Sequence, residues 1–73
     1  MSLSELGLKI KELRKQRGIT QNELAKKSGI SRATLSKVEN GFFSKTTATT
    51  LENILSTLGY SLDIKVKNPF VKR

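Results

Sequence analysis

Cysteine and histidine are both absent from this chain. Without cysteine there is no disulfide framework and no thiolate metal site, which fits a reducing compartment. Without histidine, the side chain that most often moves protons near neutral pH is missing. The acids are few and stand apart, as Glu5, Glu12, Glu23, Glu39, Glu52 and Asp63, each close to basic residues. No GxxxxGK loop is present to cradle phosphates. A Ser–Lys arrangement is compatible with the composition, but nothing singles one out. An enzyme is not expected, and neither a cofactor nor a metal is implied. Long apolar runs are missing too: none approaches the roughly 20 residues that span a bilayer, and the first residues lack the apolar core of a signal peptide. The expected location is the cytoplasm.

What is abundant is positive charge. Fourteen Lys and Arg stand against six Asp and Glu, a formal net charge of +8 over 73 residues. Such an excess suits a polyanion: DNA, RNA or an anionic membrane. A solvated, evenly spread surface would carry the same total, so placement has to decide. The length allows one small domain, which buries only about 60% of its unfolded surface. Stabilisation by oligomerisation would therefore be unsurprising.

Gly18, Gly29, Gly41 and Gly59 each follow a segment with helical patterning, where glycine commonly closes a helix. A first helix is expected from about Leu3 to Arg17, with Leu3, Leu6, Ile10 and Leu13 on one stripe. Leu8 lies off that stripe, and Gly7 weakens the helix locally. Ser2 with Glu5 and Thr20 with Glu23 have capping-box spacing. The second helix starts at Thr20 and buries Leu24 and Ala25. Ser31 caps a third helix with Leu35 and Val38 inward. Thr47 caps a fourth, whose Leu51, Ile54, Leu55 and Leu58 follow the i, i+3, i+4, i+7 rule. Then the period changes to two: Tyr60, Leu62, Ile64 and Val66 alternate with Ser61, Asp63, Lys65 and Lys67, a strand pattern. Asn68-Pro69 should end it, leaving residues 70–73 as a tail. No internal repeat is visible, and no linker is long enough to divide domains.

The second and third helices are joined by Ser28-Gly29-Ile30, the length of a helix-turn-helix corner. Ala25 must be small because the next helix crosses close above it, and Gly29 must allow the backbone angles of the turn. Leu35 and Val38 must seat the third helix, while Ile30 plugs the turn from beneath. An ordinary helical hairpin would not need all five together. The outer face of the third helix carries Arg32, Ala33, Ser36, Lys37 and Asn40 at helical spacing. It holds no acid and no large apolar residue. A solvated face usually mixes signs; this one offers donors and a small residue for close approach. A major groove admits such a helix, and Arg can bond a guanine edge bidentately. Gln21, Lys37, Asn40, Ser44 and Lys45 are candidates for phosphate contacts, although Lys45 also reads as an ordinary loop charge.

The stretch "ELRKQRGITQNELAKKSGISRATLSKVENG" resembles the XRE family of phage-repressor helix-turn-helix proteins, the Cro and cI type. Its landmarks are "TQ", "ELA", "SG" and "VENG", and the likeness spans residues 6–59. The resemblance implies a mainly α, lambda-repressor-like domain of four helices and a phosphate contact from the Gln that opens the second helix, Gln21. It implies base contacts from Ser31, Arg32, Ala33 and Ser36, and a pair between Arg14 and Glu39. A plain surface bridge between those two would be worth about 0–1 kcal/mol. The segment "TTATTLENILSTLGYSLDIKV" resembles the C-terminal half of HipB-like antitoxins. That likeness implies a final strand pairing across a dimer, a HipA-like kinase toxin as partner, and autorepression of a shared operon. The short tail departs from the longer tails of some relatives.

The expected organisation is a DNA-binding domain at 1–59, a C-terminal dimerisation strand at 60–67 and a flexible tail at 68–73. The strand has no partner in its own otherwise helical chain, and edge strands seek partners. A second copy would supply one, with Tyr60, Leu62, Ile64 and Val66 at the dimer contact. The expected function is a dimeric repressor of a palindromic operator, associated with the nucleoid, that also serves as an antitoxin. Three alternatives stay open: a phage-type or general regulator with no toxin partner, a protein-interaction module that has lost DNA, and an RNA binder. Intact Gln21, Arg32 and Lys37 argue against the second, and the lack of stacking aromatics on a sheet argues against the third.

Overall fold

Four hydroxyl side chains start the four helices. In the computed structural model, which describes residues 2–44 and 46–61, α1 spans Leu3–Gln16, α2 Gln21–Ser28, α3 Arg32–Glu39 and α4 Ala48–Thr57. Ser2, Thr20, Ser31 and Thr47 are the N-caps. Each has extended backbone angles, and each side-chain oxygen accepts the amide N–H three residues on. At α3 and α4 that third residue is a threonine. The cap hydroxyl donates to it, at 2.9 Å for Ser31–Thr34 and 3.1 Å for Thr47–Thr50. At α1 and α2 it is a glutamate, and the N–H groups of Ser2 and Thr20 donate back to Glu5 and Glu23, each at 2.9 Å. These bonds, the backbone one first, hold both carboxyls below the ordinary carboxylate range. A pKa lowered by folding stabilises the fold above the unfolded value, and that contribution is lost as pH falls through the lowered one.

The caps set the phase of the helices, and the apolar stripes then meet in one core. Ile10 and Leu13 of α1, Leu24 and Ala25 of α2, Leu35 and Val38 of α3, and Ile54, Leu55 and Leu58 at α4 are all buried. Leu6, Ile19, Ile30, Phe43 and Leu51 pack against this cluster from its edge. α1 lies on α3, while α2 lies on both α3 and α4. Leu3 departs from expectation: it belongs to the α1 stripe by spacing but is 56% exposed. Leu3 is the first residue of α1 and precedes the stretch from Gly7 to Arg14 that holds the buried residues of that helix.

The corner between α2 and α3 depends on backbone angle. Gly29 caps α2 in the left-handed region at φ 74° and ψ 27°, and the Ile30 N–H closes the turn on the Ala25 carbonyl at 3.0 Å. A Cβ on Gly29 would meet nothing within 4 Å, so the requirement there is conformational and not one of space. No helix among the described residues is long and apolar enough to cross a membrane. Tyr60 and Ser61 carry no regular structure. The expected strand from Leu62 onward, with Ile64 and Val66, and the tail lie outside the described residues.

Gly7 is the opposite case, and its role was not legible in the sequence, where it read only as a weak point in α1. It is buried. A Cβ there would overlap the Val38 carbonyl oxygen and reach within 3.1 Å of the Glu39 carbonyl oxygen. Both obstacles are backbone, so nothing flexible can yield, and Gly7 is what lets α1 cross the end of α3. At an exposed helical site Gly→Ala would stabilise by about 1 kcal/mol. Gly7→Ala is expected instead to destabilise by about 1–3 kcal/mol through overpacking. Urea unfolding of the variant checks this: a gain in stability would mean that α1 and α3 do not approach this closely.

Candidate nucleic-acid interface

α3 divides its residues sharply. Leu35, Val38 and Glu39 are buried, whereas Arg32, Ala33, Lys37 and Asn40 are exposed and Ser36 is half-buried. The exposed set falls within one side of the helix, because positions three and four apart overlie one another. Neither Arg32 nor Lys37 has an acidic partner among the described residues. Asn40 is partly committed, since its Nδ2 donates to the Ser36 carbonyl at 2.9 Å and leaves its side-chain oxygen free. The Ser31 hydroxyl is engaged twice: it accepts from the Thr34 amide at 3.1 Å and donates to the Thr34 hydroxyl. Its first duty is therefore to hold the start of α3. Ser44 is exposed on the loop after α3, and Lys45 lies outside the described residues.

The start of α2 faces the same way. Gln21 is half-buried and Asn22 exposed, and both line a shallow depression that also includes Arg14 and Arg32. In this way residues from α1, α2 and α3 converge. The capping box consumes the Thr20 and Glu23 amides, so the Gln21 and Asn22 amides remain among the orphan donors of the helix start. A helix N-terminus with free amides favours an anion. Asn22 was not singled out in the sequence; its one signal was a polar position beside Gln21 in the first turn. Phe42 was also passed over. It is 66% exposed just beyond Asn40, and its exposure could not be foreseen from an aromatic pair of which Phe43 is the member that packs on the core.

Beneath this surface, Arg14 and Glu39 form a buried ion pair. Arg14 Nε donates to Glu39 Oε2 at 2.7 Å and Nη2 donates to Oε1 at 3.2 Å. The Arg14 side chain is 10% exposed and that of Glu39 is 2%. Arg14 Nη1 also donates to the Ile19 carbonyl at 3.0 Å, and Gln21 Nε2 donates to Glu39 Oε1 at 3.0 Å. The Arg14–Glu39 pair thus ties together α1, the turn before α2, α2 and α3. At the far end of the domain, Tyr60 is 48% exposed. Its N–H caps α4 on the Leu55 carbonyl at 2.8 Å, and the Arg17 guanidinium stands 5.9 Å from its ring centre.

Taken together, the outward surface of α3 and the start of α2 offer cations, amides and small polar groups. Glu39 is buried and paired, and Glu23, though exposed, is bound into its cap. Such a surface can receive phosphate oxygens and base edges.

Known proteins share this arrangement. The helix-turn-helix family model HTH_3 matches residues 10–65. Antitoxin HipB of Escherichia coli (strain K12) is 44% identical over 63 residues, which are 86% of this chain and 70% of that protein. The HTH-type transcriptional regulator RghRB of Bacillus subtilis (strain 168) is 54% identical over 39 residues, 53% of this chain, and the chain spans only 28% of its length. Among solved structures, a chain of the HipA-HipB-O2-O3 complex superimposes with a TM-score of 0.74 at 41% identity, over 93% of this chain and 94% of that one.

Removing one partner of a buried pair leaves the other charge stranded, which typically costs about 3–5 kcal/mol, whereas replacing both with apolar residues is often neutral. Arg14→Met and Glu39→Met are each expected to lower stability by that amount. The double substitution should recover most of it. Thermal melts of the three variants test the coupling, and simple additivity would show that the pair is not acting as a unit.

Proposed function

The chain belongs to the XRE-type helix-turn-helix family of DNA-binding regulators, and on that premise we propose that it is a dimeric, sequence-specific repressor that reads a palindromic operator with α3. The family is one of regulators and not of enzymes. The observation that carries the reading is the acid-free outer face of α3, continuous with the open start of α2. Arg32, Ala33 and Ser36, with Ser31 at the helix start, are assigned to base edges. Gln21, Lys37, Asn40, Ser44 and Lys45 are assigned to phosphates, which orient the protein without carrying sequence information. The protein works in the cytoplasm, at the nucleoid.

Its biological role is that of an antitoxin and operon autorepressor in a HipBA-like system, with a HipA-like kinase toxin as partner. The support is likeness to HipB over most of both chains. The 39-residue likeness to a transcriptional regulator of Bacillus subtilis supports a second reading, a regulator with no toxin partner. The gene beside this one separates them: a kinase-like neighbour supports the antitoxin, and its absence the general regulator.

Arg32→Ala is expected to weaken binding to the DNA upstream of its own gene by about 1–3 kcal/mol, with a smaller effect on random duplex. Lys37→Ala should weaken both alike. Fluorescence anisotropy on the two duplexes reads the difference. Equal losses on both from Arg32→Ala would make Arg32 a phosphate contact.

The dimer is assigned to residues 60–67, with Tyr60, Leu62, Ile64 and Val66 pairing antiparallel across a two-fold axis. Two copies of α3 then face successive major grooves about 34 Å apart. A two-stranded ribbon is marginal alone, so it is expected to rest on the α4 helices. Sedimentation without DNA should show a dimer for the whole chain and mostly monomer after truncation at Gly59. A whole chain that sediments as a monomer at micromolar concentration removes the ribbon and leaves the assignment of α3 standing.

A further inference from the structure

The end of α1 and the end of α4 meet at one guanidinium. Arg17 is the C-cap of α1; it is exposed and pairs with no carboxylate among the described residues. α4 has no basic residue in its own last turn, although a helix C-terminus favours a cation. Arg17 brings one from the other helix. A Cβ on Gly59, which directly follows the cap of α4, would come within 3.0 Å of Arg17 Nη2 and 3.5 Å of Cζ. The same Cζ stands 5.9 Å from the centre of the Tyr60 ring, within the range over which an aromatic face attracts a guanidinium. The backbone closes α4 here: the Gly59 N–H donates to the Ser56 carbonyl at 3.0 Å, the Tyr60 N–H donates to the Leu55 carbonyl at 2.8 Å, and Gly59 takes φ 86°, a Schellman ending. Those bonds hold the chain as far as the Tyr60 nitrogen. Beyond it, Cβ and the carbonyl carbon sit on the same Cα, so a rotation that redirects the chain also swings the ring away from Arg17.

We propose that Arg17 is a positioning residue for operator geometry: by holding the Tyr60 ring it sets the direction in which the chain leaves α4, and with it the separation at which two copies of α3 meet DNA. That role rests on the reading of residues 60–67 as the dimer segment. Arg17 acts through Tyr60 and touches no DNA in this role. Half-sites moved along a duplex are also rotated about its axis, so a dimer that follows them must swivel where each domain joins the dimer segment. In the wild type that swivel breaks the Arg17–Tyr60 contact, and the contact therefore favours one spacing. Without it the penalty on other spacings falls.

The test uses the whole chain and duplexes that carry the two half-sites upstream of its own gene. In one they stand at their native spacing; in others they are moved roughly two base pairs apart or together, about a fifth of a turn. Arg17→Met should lower the preference for the native spacing by roughly two- to five-fold, the scale of a cation over an exposed ring. The ratio between spacings cancels the uniform loss of affinity that removing a charge brings. Tyr60→Leu should relax the preference equally, Tyr60→Phe should retain it, and Arg17→Met/Tyr60→Leu should relax it no further than either single change. Sedimentation should show Arg17→Met still a dimer, which a general weakening of the dimer would not allow. In the free wild-type protein, NMR should show the Arg17 side-chain protons moved upfield by the Tyr60 ring, and Tyr60→Leu should return them to ordinary shifts. Ordinary shifts in the wild type overturn the proposal without recourse to DNA. A spacing preference unchanged in Arg17→Met overturns it and leaves the repressor reading intact. A wild-type chain that sediments as a monomer removes the dimer segment, and Arg17's role with it.

Discussion

The buried carboxylate of Glu39 is the constraint on which the packing of α1, α2 and α3 depends. It stands at the end of α3, accepts two bonds from Arg14 of α1 and one from Gln21 of α2, and so measures the separation of three helices at once. Apolar packing fixes how tightly these helices meet but is nearly indifferent to small slides along the interface. Directional bonds to a charged group are not. In a domain of this size, with nine buried apolar residues among the described residues, such a bond network adds directional register to that of the core.

Close backbone approaches make the network reachable. Gly7 brings α1 onto the last carbonyls of α3, within a space where a methyl group would not fit. Ala25, buried at the corner, lets α3 cross α2. Gly29 turns the chain between them in the left-handed region. With these three small residues in place, Arg14 and Glu39 meet under the surface. The positive charge left over is then carried outward by Arg32 and Lys37, whose neighbours on the exposed face of α3 include no acid. The positive character of this face thus follows from where the acids went as much as from how many bases there are.

Comparison with HipB extends over 86% of this chain, and the family model reaches residue 65, past α4. The part of the chain that binds DNA in the functional reading, residues 1–59, is the part that the four helices build. The part assigned to the dimer begins at Tyr60, where α4 has just been closed by a bond from the Tyr60 amide to Leu55.

Local features were legible from residue order alone. The four N-caps, the two capping boxes, the glycine at the α2–α3 corner and the core stripes from Ile10 to Leu58 all depend on atoms within about a turn of one another. Their physics is complete in a short window. The pairing of Arg14 with Glu39 came from family likeness and not from spacing, because the two are 25 residues apart. The rest waited on the packing of helices against one another. Leu3 fits the α1 stripe yet is exposed, because it precedes the stretch of α1 that the other helices cover. Gly7 looked like a weak point and is a contact, because its neighbour is the backbone of α3. Gln21 was expected to reach a phosphate, and its bond to Glu39 was not foreseen, because the end of α3 arrives beside the start of α2 only in the fold. Each outcome is set by which helices cross and at what height, and no window of neighbouring residues carries that information.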